Sequence, residues 1–71
     1  MKKDKIYVTT MYRYGDKESH SYVSYAGFSK HKAIEDGREC QKNRGNKYYP
    51  QVVEFTPDDP TSMKIVLKLK N

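Results

Sequence analysis

The chain has 71 residues, of which 35% are hydrophobic, and it carries a formal net charge of +5. A chain of this length forms one domain with a small core. Its single cysteine excludes an internal disulfide, and one cysteine with two histidines offers too few ligands for an ordinary structural zinc site. We therefore expect no metal and no cofactor, and we expect that homo-oligomerisation supports the small core.

Charge and hydropathy also predict a partner and a compartment. The basic balance favours an anionic partner such as a nucleotide, a nucleic acid or an acidic protein surface, and the alternative is that the charge only keeps the chain soluble. No apolar run is long enough for a signal-peptide core or a membrane span. With a single thiol, which fits a reducing compartment, these features predict a cytoplasmic protein without a membrane partner.

The first half of the chain predicts a β-hairpin. Two runs rich in β-branched and aromatic residues, about residues 5–14 and 19–28, flank the sequence Gly-Asp-Lys-Glu at 15–18. An even-length turn places Tyr14 opposite Ser19, and an odd-length loop would slip the register by one residue and mix the two faces. The even register is the more consistent one, and it predicts two further pairs: Val8 with Tyr25, and Thr10 with Val23.

The same register predicts a core face and an open face for the hairpin. The core face collects apolar residues, namely Ile6, Val8, Val23 and Tyr25. The open face collects basic and aromatic residues with one methionine, namely Tyr7, Met11, Arg13, His20 and Tyr22. We expect the helix to cover the first face and to leave the second free.

A helix over about residues 30–44 follows the hairpin. Ser29 is a good N-cap, and Gly45 followed by Asn46 is a good C-cap signal. Gly37 lies in the middle of the helix, where glycine costs about 1 kcal/mol relative to alanine, so we expect close contact with the sheet there. The predicted buried stripe consists of small or apolar residues, with Gln41 at its margin: Ala33, Ile34, Gly37 and Cys40.

Two more strands complete the prediction. Pro50, near the start of a strand at about 48–56, predicts an edge position or a late start of pairing. A turn at 57–61 leads to a strand at about 62–70 that points Met63, Ile65, Leu67 and Leu69 inward and its lysines outward. The predicted fold is α+β: one domain over residues 1–71, in ββαββ order, with an antiparallel sheet and one helix packed on one face.

Catalytic chemistry has little support in this sequence. Cys40, the one thiol, falls on the buried helix stripe, and no serine–histidine–acid or paired-carboxylate pattern is present, so we expect no enzyme. Arginine offers a planar fork for phosphate, and tyrosine rings stack on bases. The predicted ligand-binding residues are therefore the open face and one arginine at the helix end: Tyr7, Met11, Arg13, His20, Tyr22 and Arg44. A solvated face or a dimer interface is the alternative for the hairpin, and local pairing with Glu35 and Glu39 is the alternative for the helix.

Three short motifs resemble those of small open reading frames found in bacteriophages and prophages. They are Tyr-Arg-Tyr-Gly-Asp at 12–16, His-Ser-Tyr-Val at 20–23, and Phe-Ser-Lys at 28–30 opening a helix, and the resemblance covers about residues 5–56. Some such proteins counter bacterial defence, and one class, the phage sponge proteins, sequesters cyclic nucleotide or cyclic ADP-ribose signals between subunits. The resemblance implies a non-enzymatic, counter-defence protein that sequesters an anionic nucleotide-type ligand in the host cytoplasm. The alternatives are a DNA- or RNA-binding protein and an inhibitor of a host protein that adds a strand to a sheet edge.

Overall fold

A computed structural model of the chain describes residues 5–15, 20–45 and 47–69, and shows one four-stranded sheet with one helix. The elements in chain order are β1 (Ile6–Arg13), β2 (Ser21–Gly27), α1 (Lys30–Asn43), β3 (Tyr48–Thr56) and β4 (Asp59–Lys68). The strands are antiparallel, and their order across the sheet is β2-β1-β3-β4. The predicted α+β architecture in ββαββ order is confirmed.

Helix α1 begins and ends close to where its capping residues predict. The Ser29 hydroxyl accepts a hydrogen bond from the Lys32 backbone N–H at 3.1 Å, as an N-cap does. The C-cap is Arg44, whose N–H donates to the Cys40 carbonyl at 3.0 Å. Gly45 follows with φ of +62°, the left-handed conformation in which glycine ends helices. Asn46, the other half of the predicted stop signal, lies outside the described residues.

The helix packs on the sheet through its small residues, as the glycine in its middle predicts. Ala33 and Gly37 are buried, and the Thr9 hydroxyl donates to the Ala33 carbonyl at 2.7 Å. A Cβ atom built on Gly37 would lie 2.8 Å from the Pro50 Cβ. The helix-covered face therefore contains Thr9 and Pro50, and the fully buried Met11 lies on the same face of β1.

The face of the hairpin that the helix covers is the opposite of the predicted one. Met11, expected on the open face, has no exposed surface, whereas Val23, expected in the core, is 58% exposed. Both faces of β1 carry apolar residues, so alternation alone does not select the buried one. On the covered face, Thr9 and Pro50 make the close contacts with Ala33 and Gly37.

The other side of the sheet is covered by no element that the structure describes, and we call it the uncovered face. This face carries apolar residues on all four strands, and six of them are Ile6, Val8, Val23, Val53, Phe55 and Ile65. Its far end holds a group of tyrosines, in which the Tyr49 ring centroid lies 5.6 Å from that of Tyr12 and 4.9 Å from that of Tyr14. Tyr49 is consequently only 5% exposed.

The predicted hairpin register is correct near the turn. The backbone N–H of Arg13 donates to the carbonyl of His20 at 3.0 Å. The predicted Tyr14–Ser19 pair and the turn residues at 16–19 lie partly or wholly outside the described residues. Two described pairs agree with the even-length turn: Thr10 with Val23, and Met11 with Tyr22.

A β-bulge at Ser24 changes the register further along β2. Val8 pairs with Ala26 and not with Tyr25, so this predicted pair is wrong. The extra residue in the bulged strand moves Tyr25 from the predicted core face to the helix-covered face. There the Tyr25 hydroxyl accepts a hydrogen bond from the Ser29 N–H at 3.3 Å, which ties the strand to the start of the helix.

Strand β3 lies inside the sheet between β1 and β4, so the edge position predicted from Pro50 is wrong. The late start is correct on one side, because pairing with β4 in the register begins at Gln51. The Pro50 carbonyl accepts from the Leu69 N–H at 3.1 Å, but proline has no N–H to return the bond. The Leu69 carbonyl instead lies 3.4 Å from the Tyr14 hydroxyl and 3.5 Å from the Gln41 amide nitrogen, both weak donors at those distances.

Strand β4 begins at Asp59, earlier than predicted, because the turn is only Pro57 and Asp58, the latter with φ of +66°. A shift in the β3–β4 register leaves Val66 unpaired and divides the residues predicted to point inward. Leu67 pairs with a residue of the helix-covered face, whereas Ile65 pairs with one of the uncovered face and is 51% exposed. The strict alternation predicted for this strand is therefore interrupted.

Candidate functional site

Two arginines and two tyrosines meet at the end of the sheet where helix α1 terminates, and we call them the Arg–Tyr cluster: Arg13, Tyr22, Arg44 and Tyr48. The Arg44 guanidinium carbon lies 5.2 Å from the Tyr22 ring centroid and 5.8 Å from that of Tyr48. The Arg13 guanidinium carbon lies 6.0 Å from the Tyr48 centroid. The two rings meet edge to face, with centroids 5.6 Å apart. Both cations therefore share one aromatic surface.

Strand register brings the two rings and one arginine together. Arg13 and Tyr48 are direct partners between β1 and β3, and Tyr22 is the β2 partner of Met11. Because side chains two residues apart share a face, Arg13 lies on the same helix-covered side as buried Met11. Tyr22 and Tyr48 thus flank β1 from its two neighbouring strands.

The helix end supplies the second arginine. Arg44 is the C-cap residue of α1, and its carbonyl accepts a hydrogen bond from the Lys47 N–H at 3.2 Å. The Lys47 carbonyl in turn accepts from the Tyr14 N–H at 3.0 Å, which fixes the connection from helix to sheet beside β1. A cation at a helix C-terminus is also favourable with respect to the helix dipole. The arginine is thereby held above the rings by backbone geometry.

The cluster has a strong positive character. Arg44 is exposed, and Arg13, Tyr22 and Tyr48 are half-buried. Residues 5–15, 20–45 and 47–69 contain one described ion pair, in which His31 Nε2 lies 3.0 Å from Glu35 Oε2 on the exposed side of the helix. No described carboxylate therefore forms an ion pair with Arg13 or Arg44. The guanidinium groups consequently keep donors for an external anion.

The structure brings together three of the six predicted ligand-binding residues: Arg13, Tyr22 and Arg44. A fourth, His20, is exposed and adjoins the cluster through its carbonyl, which accepts from the Arg13 N–H. Met11 is fully buried beneath the helix, so the prediction that it lies on an open face is wrong, and it contributes to the core.

Tyr7 lies in a different environment from the cluster. It is six residues before Arg13 on the same strand, about 20 Å away at the usual rise of a β-strand. Its partner in β3 is Glu54. Burial, together with the negative charge of the neighbouring Glu54 carboxylate, raises the pKa of Tyr7 above its usual value. A carboxylate at this position would repel an anionic ligand.

Sequence reasoning did not select Tyr48 for the site. The sequence predicts on which face of β3 Tyr48 lies, but it does not predict which strand β3 pairs with. Only the β1–β3 register places Tyr48 beside Arg13. The register also joins the basic residues of the hairpin to those of the helix end, which the sequence presents as two separate groups.

Two clefts in the described part of the chain lie away from the cluster. One of about 530 Å³ is lined by Tyr25 and by five charged residues of α1: Lys32, Glu35, Asp36, Arg38 and Glu39. A second of about 210 Å³ lies at the β3–β4 turn, beside Ile6 and Phe55. Neither is lined by a residue of the Arg–Tyr cluster.

The described residues contain neither a group of metal ligands nor a membrane-spanning helix. No group of three or more histidine, cysteine or acidic side chains is arranged to hold a metal ion. No described helix has the length and apolar character needed to cross a membrane.

No protein-family model matches the chain, and no curated protein and no solved structure matches it either. The Arg–Tyr cluster is therefore interpreted from its own geometry.

Proposed function

We propose that the chain is a non-enzymatic protein that binds an anionic, nucleotide-type ligand at the Arg–Tyr cluster. The observation that carries this proposal is the convergence of Arg13 and Arg44 on the Tyr48 ring, with Tyr22 against both Arg44 and Tyr48. Two cations without a described carboxylate between them form a site of the charge that a phosphate requires.

The arginines would bind the phosphate. A guanidinium group presents its N–H donors in a plane, and it can donate two parallel hydrogen bonds to phosphate oxygens. The rings of Tyr22 and Tyr48 restrict the orientation of Arg44, so less freedom is lost when the ligand binds.

The tyrosines would bind the base. Bases stack on tyrosine rings and on guanidinium planes, and such stacking contributes about 1–3 kcal/mol per base. The cluster offers both tyrosine rings and guanidinium planes, and the guanidinium carbons lie 5.2–6.0 Å from the ring centroids. Phosphate and base recognition can therefore occur on one ligand.

A thermal-shift screen with cyclic dinucleotides and cyclic ADP-ribose variants tests the proposal. Ligand at one hundred times its dissociation constant should stabilise the folded chain by about 2.7 kcal/mol. The same ligand should bind Arg13→Ala and Arg44→Ala at least about tenfold more weakly, because each loses a charged hydrogen-bond donor worth about 1.5–3 kcal/mol.

Arg38→Ala is the matched control. Arg38 is exposed on the same helix, and its removal changes the net charge equally, but it lies outside the cluster. We expect the control to bind as the unmodified chain does. Equal losses in Arg38→Ala and Arg44→Ala would show that general charge, and not this site, attracts the ligand. The absence of any stabilisation by the ligand panel would contradict the proposal altogether.

Single-stranded nucleic acid is the second candidate, because Arg44 is exposed and the cluster lies outside both described clefts. An open stacking site suits an extended strand as well as a free nucleotide. Titrating oligonucleotides of increasing length against salt separates the two. A nucleic-acid site would bind longer strands more tightly and lose affinity steeply as the salt concentration rises, because the release of phosphate counterions then becomes less favourable. A nucleotide site would show no gain beyond the smallest ligand.

The resemblance to small bacteriophage open reading frames supports a biological role for such binding, namely counter-defence by sequestering a nucleotide signal in the cytoplasm of a bacterial host. Sequestration predicts that the protein lowers the free signal concentration without altering the signal. Denaturing the complex should release ligand of unchanged mass in stoichiometric amount. Release of a cleaved product would show that the protein is an enzyme.

A further inference from the structure

We propose that the uncovered face of the sheet is an interface with a second copy of this chain, in which the two sheets pack face to face. The face contains one uninterrupted apolar row across all four strands: Ala26, Val8, Val53 and Ile65. Val23 and Ile65, on the two outer strands, are 58% and 51% exposed. Sheets with one apolar face bury that face against another layer, and the helix occupies the opposite side.

The charge distribution favours a second copy as the occupant. The chain has a net charge of +5, so two copies repel each other, and this repulsion is smallest when they meet through a surface without charges. In the described registers of β1, β2 and β3 no charged side chain lies on this face, and charge enters at the edge with Lys68, the partner of Gln51. An acidic partner would gain nothing from such a surface, whereas an identical uncharged face matches it.

The size of the face is sufficient for a dimer. Four strands spaced by about 4.8 Å, each of about eight residues rising 3.3 Å per residue, span roughly 19 by 26 Å. Two such faces in contact bury on the order of 1,000 Å², which is close to the lower limit for a specific interface. A two-fold axis brings the same patch of both copies together, and it is the commonest symmetry of homo-oligomers.

The sheet edges are less suitable for association. Both outer strands are irregular, β2 at Ser24 and β4 at Val66, where the register shifts. Bulges of this kind twist an edge and interrupt the row of free N–H and C=O groups that a new strand would need. Pairing through an edge is therefore disfavoured relative to packing through the face.

Sedimentation equilibrium on the unmodified chain across a hundredfold range of concentration tests the inference. We expect a mass twice that of the 8.4 kDa chain at the higher concentrations. Val23→Lys and Ile65→Lys each place a charge in the otherwise apolar interface, and should raise the dimer dissociation constant about tenfold or more. Since both positions are more than half exposed in one chain, the lysines should leave its fold intact, which circular dichroism checks.

Phe28→Lys is the matched control, because Phe28 is 67% exposed but follows β2 and lies outside the sheet. We expect it to dimerise like the unmodified chain. A chain that is monomeric at every concentration would overturn the inference, whatever else covers the face. A dimer that both lysine variants leave unchanged would overturn it too, since it would place the interface elsewhere. If a lysine variant does not fold, Val23→Thr and Ile65→Thr keep β-branched residues and should weaken the dimer less strongly.

Discussion

Replacing Gly37 by alanine tests the close packing on which the choice of buried face depends. Helix propensity alone predicts stabilisation, because alanine is favoured over glycine by about 1 kcal/mol in a helix interior. The structure predicts the opposite. An added Cβ would lie 2.8 Å from the Pro50 Cβ and 3.1 Å from the Thr9 Cγ2, where ordinary contacts begin near 3.4 Å.

The magnitude follows from what can move. The Pro50 Cβ belongs to a ring fixed on an inner strand, so no side-chain rotation removes the clash. The helix must shift, and overpacking of this kind typically costs about 1–3 kcal/mol. Subtracting the gain in propensity leaves a net loss of about 1 kcal/mol, which lowers the melting temperature of a domain this small by roughly 4–8 °C.

Thermal unfolding at one fixed protein concentration measures the effect. Asn43→Ala, at the exposed last residue of the same helix, raises helix propensity without the clash and should be neutral or slightly stabilising. Thr9→Ser removes the methyl group but keeps the hydroxyl that bonds the helix, so it should partly relieve the cost of Gly37→Ala in a double-mutant cycle. A Gly37→Ala chain as stable as the unmodified one would refute the close approach of helix and sheet.

Three other predictions concern the core, the helix cap and pH. Met11→Ala should lower the unfolding free energy by about 2–5 kcal/mol in denaturant titration, whereas Phe28→Ala, at an exposed site, should change it by less than about 0.5 kcal/mol. Equal effects would mean that Met11 is not buried. Ser29→Ala should cost about 1 kcal/mol, and Ser29→Asp should restore most of it, because either side chain caps the helix. The raised pKa of Tyr7 contributes stability that is complete below its ordinary value near 10 and is lost as the pH rises through the folded value. The pH midpoint of alkaline unfolding should therefore change in Glu54→Gln. An unchanged midpoint would show that the Glu54 carboxylate does not contribute to the pKa of Tyr7.

The two proposed surfaces lie on opposite sides of the sheet, so they can be tested independently. The Arg–Tyr cluster belongs to the helix-covered side, and the apolar row through Val8 and Val53 belongs to the other. Arginine variants should change ligand affinity without changing the mass, and Ile65→Lys should change the mass without removing the site. A dimer built in this way would present its two clusters outward.

Much of the fold could be predicted because its signals are local. Serine before an amphipathic segment and glycine after it predicted the ends of α1 to within one residue. The hairpin register near the turn also followed from the sequence, since turn length and alternation fix which residues are opposite. Beyond Ser24 the prediction failed, because a bulge adds one residue without a distinctive composition.

The candidate site was predictable in part for the same reason. Arg13 and Tyr22 were selected together because the hairpin register places them near one another, and this register held. Tyr7 and Met11 were selected with them on the assumption of one open face, which the helix in fact covers. Tyr48 was not selected, because its neighbour on β1 depends on a pairing between strands more than thirty residues apart.

The sequence by itself determined the order of elements, the caps of the helix and the alternation that divides each strand into two faces. The tertiary structure decided which face is buried, because that depends on how closely Gly37 and Ala33 approach Thr9 and Pro50. It also decided that Arg13 and Arg44 both lie beside the Tyr48 ring, since the helix end and the first strand are distant in the chain and adjacent only after packing. Local signals act through backbone conformation over a few residues, whereas faces and clusters depend on complementary shapes from distant segments.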